Sequence, residues 1–303
     1  MNILRTLDKP RTFNDDPTYR SFAAMNWSRL KLMRDASART LQYELLNGPT
    51  FKGNAATRFG SLCHTVALEP DEVTTRYRLA VETNKRTKAY RLEVAEAEAD
   101  GVELVTRDDM VKSQRMALAY HGAIDNLCRY RYSSGLESVE REYAMASEVF
   151  AGEFRVVMKG KLDELLRHDG GMVLVDYKTT GSPLATRSLQ TIIGQRGYHI
   201  QAALYRRLYR HLNREAEDVN IDVAWVFVST NEPHECVAVV ASDEMMMAAN
   251  EELDHLLQAY AQCLALDAEG APDAWPGIDP VLEIDLLPWH EPKAHGAPNP
   301  LPF

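Results

Sequence analysis

A hairpin that carries charge on one strand face constrains this chain more than any other feature. Met158–Leu166 (MKGKLDELL) reads as a strand, Asp169-Gly170-Gly171 as a turn, and Met172–Lys178 (MVLVDYK) as a second strand. Residues i and i+2 of a strand share a face, so Asp176 and Lys178 project the same way. Asp163 on the first strand can meet them in one small volume. The periodicity then predicts an amphipathic helix over Tyr198–Leu212, with Ile200, Leu204 and Leu208 inside. Gln201 and Tyr205, at i and i+4, share a face of that helix.

Hard divalent cations take oxygen ligands, and phosphodiester hydrolysis needs an activated water and neutralised phosphate charge. Asp163 and Asp176 offer carboxylates, and the backbone carbonyl of Tyr177 a third oxygen. Lys178 can orient or deprotonate the attacking water, or stabilise a pentavalent phosphate. Its ammonium is expected to lose only a little basicity beside two carboxylates.

The formal net charge of −10 would ordinarily argue against a polyanionic substrate, but its distribution changes that. From His211 onward, 18 acidic residues face only Arg214 and Lys293, leaving 32 basic and 26 acidic residues in Met1–Arg210. The half that holds the hairpin is therefore basic, which permits polyanion binding in a localised groove. Four cysteines (Cys63, Cys128, Cys236 and Cys263) form no Cys-x-x-Cys pair. That argues against zinc or an iron–sulfur cluster and for buried structural thiols in a reducing, cytoplasmic compartment. The first residues lack the apolar stretch of a signal peptide, and the strongly apolar run Val223–Val228 is too short to cross a bilayer.

Residues 1–25 read as a polar arm with little structure, 26–266 as a single domain, and 267–303 as a Pro-rich acidic tail. Within the domain, 26–135 are predicted mainly helical. Helices are expected from Asn26 (capped by Asn26 or Ser28), across Ala55–Leu68, over Lys85–Ala99 and over Asp108–Arg129. The part 136–266 is predicted α/β, with strands across Val139–Met145, Gly152–Met158, the hairpin, Val219–Ser229 and His234–Ala241. A long helix follows, capped by Ser242. Gly181–Gly197 reads as an unusually long connector that shapes a substrate entrance. Together these elements predict an α/β fold, a central mixed sheet flanked by helices, with a helical N-terminal region.

Gly160-Lys-Leu-Asp163 with Val175-Asp-Tyr-Lys-Thr-Thr180 resembles the PD-(D/E)XK nuclease superfamily and its restriction-endonuclease-like core. Three further features resemble the RecB/RecE-type branch, of the exodeoxyribonuclease VIII kind carried by phages and prophages. They are Gly60-Ser-Leu-Cys-His64 running into Leu68-Glu-Pro70, the Asp-x-Lys-Thr-Thr form of the motif, and Tyr198-His-Ile-Gln201-Ala-Ala-Leu-Tyr205. The resemblance implies that His64 is a metal or active-site residue and that Gln201 and Tyr205 belong to the catalytic set. It also implies an acidic residue upstream of Asp163. Glu140 and Glu142 both qualify, with Glu142 favoured. Cluster-bearing relatives need a cysteine set that is absent here.

The function implied is a Mg²⁺-dependent DNA exonuclease, with Mn²⁺ as a substitute, that resects double-stranded DNA ends 5′→3′ for recombination. A homo-oligomeric ring and a single-strand annealing protein as partner come with the same resemblance. Lys161, Lys159, Arg187, Arg196 and Arg58 are the candidate phosphate contacts, Lys161 first because it shares a strand face with Asp163. The same motifs also admit a structure-specific or nicking endonuclease, or a non-catalytic DNA-binding recombination scaffold. The terminal Asn299–Phe303 is similar to the Pro-Phe tips of bacterial single-strand-binding proteins, without the acidic residues that usually precede them.

Overall fold

Polar caps set the helix boundaries along the first half of the chain. The computed structural model describes residues 7, 9–50, 53–132, 135–213 and 219–281. After a short strand β1 (Arg11–Phe13), Asp15 accepts the Thr18 N–H and starts α1 (Asp16–Ser21). Asn26 accepts from Arg29 and starts α2 (Trp27–Asp35), and Ser37 starts α3 (Ala38–Asn47). Asn54 does the same for α4 (Ala55–Leu68). Each such side-chain oxygen satisfies a backbone donor that the helix itself cannot, worth about 1 kcal/mol. A short turn leads to α5 (Val73–Arg76) and β2 (Tyr77–Leu79). Then come α6 (Lys88–Ala99), β3 (Glu103–Val105) and the long α7 (Arg107–Arg131).

The sheet-forming half follows: β4 (Glu137–Ala151), β5 (Phe154–His168), β6 (Gly171–Thr180), α8 (Thr186–Arg196) and α9 (Tyr198–Leu212). It closes with β7 (Asn220–Ser229), β8 (Cys236–Val240) and α10 (Asp243–Ala268). The main sheet runs β1-β4-β5-β6-β7-β8, with β2 and β3 paired separately. All its neighbours are antiparallel except β6 and β7. A parallel pair needs a crossover, and α8 and α9 supply it.

Alternation along the central strands sorts the core onto two faces. Leu174 of β6 and Val223, Trp225 and Phe227 of β7 face α2, α9 and α10. Val173, Val175 and Tyr177, with Ala224, Val226 and Val228, pack on the other side beneath α4 and α7. Each Val or Leu buried this fully contributes about 1.5–3 kcal/mol of transfer free energy. In β5 the alternation slips. Met158 and Leu162 share a cluster with Leu165 rather than with residue 164. Asp163 sits in that slip.

Two sequence expectations need correction. Among the described residues of the expected arm, β1 extends the sheet beside β4, and α1 follows it. The signal is weak because β1 and α1 are each under two turns or four residues long. Gly181–Gly197 is not a bare loop either, since α8 fills most of it, burying Leu189 and Ile193 at i and i+4. Gly197, at φ 65°, separates α8 from α9, and a Cβ there would lie 2.5 Å from the Trp27 ring. In the tail, Trp275 is buried against Tyr260, while the Asn299–Phe303 tip lies outside the described residues.

Gly160 fixes how closely α9 approaches β5. A Cβ on it would come within 2.6 Å of the Tyr205 ring, on a helix whose Ile200, Leu204 and Leu208 are buried in the core. Gly160→Val is therefore expected to destabilise the protein by about 1–3 kcal/mol through overpacking, read as a lower midpoint in urea denaturation. An unchanged midpoint would show that α9 is not held by this contact.

Candidate active site

The β5–β6 ladder ends at Glu164–Val175, one residue short of Asp163 and Asp176. Beyond that pair the strands part, and the two aspartates stand at the fork. Asp163 Oδ2 accepts the Tyr177 backbone N–H at 2.6 Å, replacing the ladder bond that stops there. Its Oδ1 lies 3.5 Å from His64 Nδ1. Asp176 and Lys178 share a face, as strand geometry requires, with Lys178 Nζ 2.5 Å from Asp176 Oδ2. The ammonium also donates to Gln201 Oε1 at 3.3 Å and lies 4.5 Å over the Tyr198 ring. Gln201 Nε2 in turn donates to the Tyr205 hydroxyl at 2.9 Å. The fork therefore brings together all the side chains proposed from sequence as catalytic.

His64 arrives from α4, its ring stacked on Tyr177 at 4.8 Å between centroids. Tyr120 of α7 also packs on the Tyr177 ring, at 4.7 Å between centroids. Glu142 comes from β4. The pairs Arg141–Glu164 and Tyr143–Leu162 place it opposite Asp163. Its φ of 53° is left-handed, a conformation that costs a non-glycine residue about 1 kcal/mol or more. Among the described residues, His64, Glu142 and Asp163 form a cluster of metal-ligating spacing, with one donor atom from each within 4.8 Å of the others. Glu140 is exposed, so of the two upstream candidates Glu142 is the one at the site.

Burial and charge set the protonation states. Burial pushes the Asp176 carboxyl up to about 6, with Lys178 opposing and Asp163 assisting. Burial also raises Asp163, but the charge and hydrogen bond of His64, with Lys178 and the Tyr177 N–H, outweigh it and hold this carboxyl below its usual range. His64 shows the reciprocal effect: burial lowers it, and Asp163 more than restores it. Burial and Asp163 raise Glu142, against the pull of Lys161. For Lys178, burial is overcome by Asp176 and Asp163, so its pKa is raised. The sequence expectation of a slight depression is thus reversed, and the group stays an ammonium donor.

These donors suit a divalent cation. His64, Glu142 and Asp163 converge from three elements, and Asp176 lies buried across the fork with Lys178 as its ion-pair partner. Asp163, Asp176, the Tyr177 carbonyl, Glu142 and His64 are the available ligands.

The phosphate candidates divide. Lys159 is turned inward, its ammonium donating to the carbonyls of Tyr19, Arg20 and Phe22 at 2.7, 3.1 and 2.8 Å, and burial pulls its pKa down to about 8. It fastens the end of α1 rather than facing a groove. Lys161 reaches Glu142 and, at 3.2 Å, Asp16. Arg58 is exposed on α4 and lies 3.5 Å from Glu103. Arg187 and Arg196 are exposed on α8. Sequence reading missed Asp16, Tyr198 and Glu164. Tyr198 stands three residues before Gln201 on the same helix, so i,i+3 spacing could have found it. Asp16 gave no local signal.

A sequence profile of the PD-(D/E)XK nuclease superfamily matches residues 25–277. Among curated proteins, none matches significantly. Three solved structures match at low identity. A Eubacterium rectale protein assigned by name as an exonuclease is 14% identical, with a TM-score of 0.48 and 82% of each chain covered. SSO0001 is 12% identical, with a TM-score of 0.26, over 68% of this chain and 88% of its own. Protein VC1899 from Vibrio cholerae is 9% identical, with a TM-score of 0.22, over 86% and 59%. All three are too distant to carry function.

Cation binding at the fork must displace the proton that Asp176 holds below pH 6. Mn²⁺ affinity measured by calorimetry is expected to fall by up to about tenfold per pH unit below that point. Asp176→Asn should bind more weakly throughout and show a shallower fall. Equal slopes in the two proteins would remove Asp176 from the ligand set.

Proposed function

Because the chain belongs to the PD-(D/E)XK nuclease superfamily, we propose that it is a Mg²⁺-dependent exonuclease that resects double-stranded DNA ends. The observation that carries this reading is the fork itself, where Asp163, Asp176 and Lys178 meet with His64. The order of motifs along the chain supports placement in the RecE-type branch, and with it 5′→3′ polarity, a role in recombination, a ring-shaped oligomer and a single-strand annealing partner. Mn²⁺ would substitute for Mg²⁺. Neither zinc nor an iron–sulfur cluster is part of the reading. Among the described residues, no helix is long and apolar enough to cross a membrane; a cytoplasmic site of action is part of the proposal.

In hydrolysis, a water oxygen bonds to phosphorus, the bond to the leaving sugar oxygen breaks, and the water's proton passes to solvent or to that oxygen. A bound divalent cation supplies the charge that acidifies the water and offsets charge on the phosphate oxygens. Asp163, Asp176 and the Tyr177 carbonyl would hold it, with Glu142 and His64 completing the set. Lys178, kept as an ammonium by Asp176, aims a fixed positive charge at the phosphate and orients the water. Gln201 and Tyr205 hold that ammonium in place, so it does not swing with its flexible stem. Lys161, Arg58, Arg187 and Arg196 are the groups proposed to meet the DNA backbone.

Digestion of end-labelled linear duplex with Mg²⁺ tests activity, polarity and site together. The wild-type protein is expected to release label from 5′ ends and to spare a covalently closed circle. Lys178→Ala should lower kcat by at least about 100-fold with the fold intact. Cleavage of the closed circle would favour an endonuclease, and full activity in Lys178→Ala would remove the site assignment. Light scattering of the purified protein should return a multimer. A strict monomer would overturn the ring.

A further inference from the structure

Glu164 follows Asp163 in β5 and is only 2% exposed. Its neighbours Leu165 and Leu166 show that an apolar side chain fits this stretch, and a buried carboxylate carries a large desolvation penalty unless several donors meet it. Three do. The Tyr120 hydroxyl donates to Oε2 at 2.6 Å, while Ser138 Oγ and Arg141 Nε donate to Oε1 at 2.7 and 3.0 Å. Burial and the adjacent Glu164 raise the Tyr120 phenol well above its usual range, so it remains a donor.

Each arm of this network ends beside one member of the cation cluster. Glu164 is bonded through the backbone to Asp163. Arg141, its cross-strand partner, is bonded to Glu142, whose left-handed backbone persists only if its surroundings hold it. Tyr120 packs on Tyr177, and Tyr177 stacks on His64. One buried carboxylate thus ties β4, β5 and α7 at the point where the three cluster residues approach one another.

We propose that Glu164, through Tyr120, Ser138 and Arg141, is a positioning residue that holds His64, Glu142 and Asp163 at cation-binding spacing. It touches neither cation nor DNA. The proposal rests on the metal-dependent reading of the site. Residues that orient metal ligands in this way typically govern affinity rather than mere folding.

The test is Mn²⁺ binding by calorimetry on the whole protein without DNA, well below the melting temperature, with circular dichroism to verify folding. Glu164→Gln keeps shape and removes charge; Tyr120→Phe keeps the ring contact with Tyr177 and deletes one donor. The first is expected to raise the Mn²⁺ dissociation constant by about tenfold, and the second by a smaller factor. In DNA cleavage, both should need more Mn²⁺ for half-maximal rate while KM for DNA stays unchanged. Variants that melt earlier yet bind Mn²⁺ as the wild type does would overturn the proposal and leave the metal site standing. A wild-type protein that binds no Mn²⁺ would overturn both.

Discussion

The hydrogen bond from the Tyr177 amide to Asp163 is the contact on which the site depends. Where β5 and β6 part, a backbone donor loses its ladder partner, and a buried donor left unmade would cost about 1–3 kcal/mol. Asp163 fills that place with a charged acceptor, which also helps hold its carboxyl ionised. One oxygen therefore stabilises the fork, and the other faces His64. Because the two roles share a carboxylate, removing it would unpin the strands along with the ligand. Asp176 separates chemistry from architecture more cleanly, since the ladder with β7 continues through it.

The single parallel pair explains the remaining geometry. Joining β6 to β7 in the same direction requires the chain to cross one face of the sheet, and α8 and α9 make that crossing. Gln201 and Tyr205 then lie over the strand that carries Asp176 and Lys178. Gly160 lets α9 descend far enough for Gln201, held by the Tyr205 hydroxyl, to reach the ammonium. On the opposite face, α4 packs beside α7 and delivers His64.

What could be read in the sequence was what local periodicity encodes. Two-residue alternation gave the hairpin and the shared face of Asp176 and Lys178, and i,i+4 spacing joined Gln201 to Tyr205. The α8 stripe escaped because Leu189 and Ile193 are its only buried side chains, with Gly194 in its last turn and Gly197 just after it. Lys159 looked like a surface cation because nothing local reveals that two carbonyls of α1 and that of Phe22 just after it close over the ammonium. Glu164 was hidden by its neighbour. Two consecutive acidic residues on a strand suggest one inward and one solvated group, whereas the slip in β5 turns both inward. That slip and the left-handed Glu142 are tertiary effects, invisible to any local rule.

The pairing of charges at the fork has a consequence for the order of encounters. Asp163 faces His64, Asp176 faces Lys178, and Glu142 shares Lys161 with Asp16, so every acid of the cluster already has a basic partner. The protein can close this cluster without importing a counter-ion. A bound dication would add two positive charges to that matched set. Under the proposed metal-dependent reading, attraction for a phosphate backbone at this spot would rise on loading, an order of cation first and nucleic acid second.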